Sequence, residues 1–184
     1  MDYPNSITGE KISEVRHIWS GLLILAAASI ALLWLTPWPI PLPPVVLIVL
    51  AAGFNLYQIW AHTEVAAKFA WGRCTDSGEC IWGSADEQTS AGFLAATVFD
   101  YIGWILLFSI NPEPALIWRL IANTHLASGL LSVINHQMFQ RIFIWRSRSN
   151  GIWTSHLLNW ARTAFVIADA AGRALLLYSA LRLV

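Results

Sequence analysis

The sequence predicts an all-α integral membrane protein, a bundle of about five transmembrane helices with its N-terminus cytoplasmic. Three observations carry that expectation. Of 184 residues, 57% are hydrophobic and only 12% charged, where soluble domains carry about 25% charged residues. Mean hydropathy is +0.55. Five stretches, roughly 18–36, 44–67, 88–110, 115–140 and 154–180, approach the ~20 apolar residues that a helix needs to cross the hydrocarbon core. The formal net charge is zero and no basic run offers a nucleic-acid surface. The partners expected are membrane lipids, a lipophilic small molecule and a larger membrane complex, with no nucleic acid, in an inner or plasma membrane.

The elements follow in order. The segment MDYPNSITGEKISEVRH mixes acidic and basic residues, unlike the short basic start of a signal peptide. The run from Ile18 to Leu35 then reads as a retained first helix. TPWPIPLPP (36–44) holds five prolines, which lack the N–H a continuous helix requires. The second span follows at once. Ser84-Ala85-Asp86-Glu87 has the capping-box pattern that opens a helix, and so leads into the third. Asn111-Pro112-Glu113-Pro114 turns the chain into the fourth, and Ser149-Asn150-Gly151 separates the fourth from the fifth. No internal repeat or soluble domain interrupts this single unit, residues 1–184.

Loop charges orient the bundle. Lys11, Arg16, Lys68, Arg73, Arg141, Arg146 and Arg148 fall on the side of the N-terminus, while Arg119 and Arg182 fall on the other. Basic residues accumulate on the cytoplasmic side. Most of the eleven tryptophans mark span ends, as an interfacial belt does; Trp104 and Trp160 are less terminal and are candidates to line a pocket. Cys74 and Cys80 have a C-x5-C spacing that matches neither a redox CxxC nor a zinc knuckle. On the cytoplasmic side they are expected to stay thiols.

The polar residues inside the spans carry the functional expectation. Helical periodicity places His125, Ser128, Gly129, Ser132 and His136 on one stripe of the fourth span, whose small residues suit close helix packing. Asn135 borders the stripe and Asn123 points away from it. Asn55, Gln58 and His62 share a face of the second span, with Glu64 and Lys68 paired elsewhere at the interface. Asp100 lies in the middle of the third, beside Thr97 and Gly103. Arg162, Asp169 and Arg173 follow one stripe of the fifth. Depth sorts these groups into two layers. Asn55, Asp100 and Asp169 form a mid-membrane layer with His125 somewhat outward, and His17, His62, His136 and His156 form an inner histidine layer.

A carboxylate at mid-bilayer costs about 2.5–3.5 kcal/mol on insertion scales, whereas interhelical hydrogen bonds in membranes average about 0.6 kcal/mol. Asp100 is therefore expected to be functional, as an acid/base with His125 as its partner or an electrophile. Asn55, Gln58, Trp104, Ser128, Ser132, Asn135 and Arg162 are expected to bind a substrate. His62 and His136 are expected to hold a metal or a haem. Asp169 and Arg173 read differently, as an i, i+4 pair that neutralises itself while Arg173 snorkels outward.

Three function classes survive: a membrane enzyme or binding protein for a lipophilic molecule, a noncatalytic or haem- or pigment-binding subunit, and a proton or small-solute pathway. No nucleotide-binding glycine motif, nucleophile elbow or intrahelical metal motif is present. Length, tryptophan content and span number resemble the tryptophan-rich translocator proteins, but PPVVLIVLAAGFNLY departs from their proline–tryptophan signature. The segment WTSHLLNWART (153–163), with Asn135 before it, is similar to the closing helices of anthrone-oxygenase-like membrane proteins, whose four-helix plan the extra span departs from.

Overall fold

The structure is a computed structural model that describes residues 7–35, 40–70, 79–80, 90–111, 113–135, 145–146 and 153–182. Side chains are described from Trp19 onward, excluding those of 65–70, 79–80, 90, 145–146, 153–159 and 162. Five α-helices account for nearly all of this: α1 (Ile7–Ala31), α2 (Pro44–Ala70), α3 (Ser90–Ile110), α4 (Leu116–Ile134) and α5 (Trp153–Leu181). A 3-10 turn, Leu32–Leu35, continues α1. Two-residue strands β1 (Glu79–Cys80) and β2 (Trp145–Arg146) pair antiparallel between the loops.

Local chemistry explains the boundaries. Pro44 takes the first helical position of α2, where its missing N–H is no loss, and Leu47 N–H already reaches Pro43 O at 3.0 Å. Just before α2, Ile40 N–H donates to Ser109 Oγ at 3.1 Å. At the other end of α4, Asn135 caps the helix and its N–H bonds Leu131 O. The described helix thus stops at Ile134, short of the expected 140, and residues 136–140 lie outside the described residues, as does the capping-box segment before α3.

Four helices are long and apolar enough to cross a membrane: Pro44–Glu64, Ala91–Ile110, Leu116–Ile134 and Thr163–Leu181. The expected first span corresponds to α1 and its 3-10 turn, whose side chains are described only from Trp19 onward. Among the described residues its apolar part is Trp19–Leu35, shorter than the other four, while the helix itself begins at Ile7. The outward faces are apolar: Leu23 is 70% exposed, Val49 65%, Val133 59% and Leu175 56%. Surfaces of that kind suit lipid, and the chain reads as an integral membrane protein.

Helices α2, α3, α4 and α5 surround one interior, with α2 against α5, α3 against α4 and α2 against α3, while α1 lies along α4. The core joins Leu47, Ala51, Tyr101, Trp104, Leu107 and Leu177. Close approach of α3 and α4 depends on Gly129, because a Cβ there would collide with Thr97 Oγ1 and lie 3.0 Å from Thr97 Cβ. Helix α1 is held by a polar seam. Asn123 Nδ2 donates to Ser29 O at 3.3 Å, Thr124 Oγ1 meets Ser29 Oγ at 3.2 Å, and Tyr101 donates to Asn123 Oδ1.

Candidate functional site

Inside the bundle, each of four helices sends one titratable side chain to the same point. His62 comes from α2, Asp100 from α3, His125 from α4 and Asp169 from α5. Each offers a donor atom, and these atoms lie within 4.8 Å of one another. Exposures are 1%, 4%, 1% and 0%, so protein packing shields the cluster from bulk solvent. Arg173, one turn after Asp169, closes it at 0% exposure.

The two carboxylates are oriented by Arg173. Its Nε donates to Asp169 Oδ2 at 2.7 Å, and its Nη2 pairs with Asp100 Oδ1 and reaches the Asp100 carbonyl at 3.2 Å. Its Nη1 donates to Asn55 Oδ1 at 2.8 Å. Asn55 is itself locked, its amide donating to Ala51 O and Gly103 O, both at 2.9 Å. Gly103 makes room for this: a Cβ there would lie 2.7 Å from Arg173 Nη1. Trp104 completes the cradle, its ring 4.7 Å from the Arg173 Cζ and its Nε1–H donating to Asp169 Oδ1 at 2.8 Å. A guanidinium fork binding two carboxylates is a pre-organised, charge-assisted arrangement.

Both histidines are also aimed. His62 Nδ1 lies 2.7 Å from the Gln58 carbonyl. A carbonyl can only accept, so Nδ1 carries the hydrogen. Nε2 then faces inward, 3.2 Å from Asp169 Oδ2 and 3.6 Å from Asp100 Oδ2. His125 has a carboxylate at each nitrogen, Asp100 Oδ2 at 2.6 Å from Nδ1 and Asp169 Oδ1 at 2.9 Å from Nε2. In this arrangement either the ring carries two N–H groups, or one carboxyl holds the second proton. Among the described residues the buried formal charges are Asp100, Asp169 and Arg173. One negative charge is therefore left for that extra proton, or a bound cation, to balance.

The sequence expectations meet this geometry as follows. Asp100, His125, Asn55 and Trp104 all take part. Gln58 is buried beside His62 and contributes its carbonyl. Ser128 and Ser132 are buried but turn their hydroxyls to their own helix, at His125 O (2.7 Å) and Gly129 O (2.6 Å). Asn135 is exposed at the end of α4. His136 lies outside the described residues, and so do the side chains of Arg162, His17 and His156; Cys74 and the Cys80 side chain do as well.

Two expectations are corrected. The inner histidine layer does not hold for His62, which joins Asp100 and His125 in one cluster because α2 brings it level with the centres of α3 and α4. Arg173 does not snorkel; it points inward with Asp169. Arg173 lies well inside the window Thr163–Leu181, about 15 Å of helix from its start and about 12 Å from its end. The His62–His136 haem pairing also meets an obstacle, because Asp169, Asp100 and His125 crowd the face of His62 Nε2 where a porphyrin would sit.

No family model matches the chain, and neither a curated protein nor a solved structure is significantly similar to it.

Proposed function

We propose that this is a membrane-embedded metalloprotein in which His62, Asp100, His125 and Asp169 hold one divalent first-row transition metal, in a bundle oriented with its N-terminus inside. The centre serves a lipophilic small molecule that enters from the bilayer. The observation that carries the reading is the pairing of inward donors with outward anchors. Metal-ligating histidines almost always give their second N–H to a carbonyl or carboxylate. His62 does so to Gln58 O and His125 has Asp169 Oδ1 in place for it. That leaves His62 Nε2, His125 Nδ1 and one oxygen from each aspartate facing inward.

Two nitrogens and two carboxylate oxygens suit zinc or iron better than a soft-ligand metal. Bonds of 2.0–2.2 Å place tetrahedral ligands about 3.4 Å apart, close to the 3.2 and 3.6 Å at His62 Nε2. The 2.6 Å between His125 Nδ1 and Asp100 Oδ2 is a hydrogen-bond length. Metal entry there displaces the shared proton and opens the gap by roughly 0.8 Å to reach that spacing. In the enzyme form of the reading, the metal activates the substrate, while Asp100 and His125 hold the metal rather than act as a free acid–base pair.

The test is metal analysis of protein purified gently in detergent without chelators. One zinc or iron per chain is expected, falling away in His62→Gln, His125→Gln and Asp100→Asn while helical content is kept. A folded protein that carries no metal and takes up neither zinc nor iron on addition would remove the reading and leave a hydrogen-bonded ion cluster. Co-purification with larger partners would instead favour a complex subunit, and proton flux in proteoliposomes would favour a pathway.

A further inference from the structure

Charge bookkeeping inside the bundle names the kind of molecule this centre takes. The inference rests on the metal reading above. Asp100 and Asp169 contribute two negative charges and Arg173 one positive, and among the described residues no other formal charge is buried. Arg173 cannot leave, because its fork is engaged by Asp169 Oδ2, Asn55 Oδ1 and Asp100. It also stays charged under all ordinary conditions. A dication held by two neutral imidazoles therefore leaves the cluster with one uncompensated positive charge. Uncompensated charge in a dry, low-dielectric interior is expensive, and such sites recruit a counter-charge.

We infer that the metal takes one singly charged oxygen anion as a further ligand, a carboxylate or a chemically equivalent oxyanion. The Arg173 guanidinium is what makes that ligand necessary. A centre with the same four donors and no buried arginine would be neutral with the dication alone. The position of the cluster among lipid-facing helices favours an amphiphilic acid whose chain remains in hydrocarbon, while a small water-borne anion offers the same chemistry.

Cobalt(II) loaded into the purified full-length protein provides the readout, because its visible d–d bands respond to each change in ligand set. Formate and decanoate are titrated separately. A saturable band change is expected, and Arg173→Gln is expected to weaken it by at least about tenfold with cobalt still stoichiometric. Arg173→Lys, which retains the charge, should keep it. Tighter response to decanoate than to formate identifies the lipophilic acid; the reverse identifies a water-borne anion, and either supports the inference. Stoichiometric cobalt with no response to either anion overturns this inference alone. Failure to bind cobalt overturns the metal reading, and this inference with it.

Discussion

Replacing Arg173 by methionine removes the charge but keeps most of the side-chain length, so the loss is electrostatic more than a cavity. The guanidinium makes contacts at 2.7 Å to Asp169, 2.8 Å to Asn55 and 3.2 Å to the Asp100 carbonyl, besides its pairing with the Asp100 carboxylate. Two carboxylates of residues only 4% and 0% exposed then face each other with no fixed cation. Breaking a buried pair in this way costs about 3–5 kcal/mol, a large part of a typical stability of roughly 5–15 kcal/mol. At about 2–4 °C per kcal/mol for a chain of this size, the chelator-treated variant should melt about 6–20 °C lower. Intrinsic tryptophan fluorescence follows the transition in detergent, with Trp104 stacked on the missing group as a local reporter. Arg173→Lys should fall between the two, since it keeps a point charge without the fork. Added zinc should restore part of the loss in the methionine variant, because a dication matches two carboxylates and a ligand that binds the native state stabilises it. A methionine variant melting within about 1 °C of wild type would refute the claim that this guanidinium holds the cluster together.

Trp104→Phe keeps a ring over Arg173 but deletes the 2.8 Å donor to Asp169; a loss of about 1–3 kcal/mol is expected, read from the same melting curves. Gly129→Ala drives a methyl group into Thr97 of α3 and should cost about 1–3 kcal/mol by overpacking. Adding Thr97→Ala should recover part of that cost, and a double-mutant cycle without positive coupling would argue against the close α3–α4 approach.

The membrane character and helical class follow from composition and span length alone, because hydrocarbon leaves backbone groups no partner except within the segment. The same physics marks Asp100 as abnormal, since a mid-span carboxylate is too costly to be idle. Helical periodicity also puts Asn55, Gln58 and His62 on one face, and His125 on a small-residue seam.

What one-dimensional spacing could not supply is which faces converge, since each helix rotates and slides to satisfy packing against its neighbours. Depth counted along α2 assigned His62 to the inner histidine layer, apart from the mid-membrane carboxylates, yet packing against α5 and α3 places it 3.2 Å from Asp169. The pair Asp169–Arg173 is self-sufficient when α5 is read alone, and only the tertiary structure shows Arg173 joining a second carboxylate on α3 and an amide on α2. Sequence by itself determined that buried ionisable groups in this protein must find partners. The fold decided that they find one another, because burying them as a single cluster lets one guanidinium and two imidazoles serve both carboxylates.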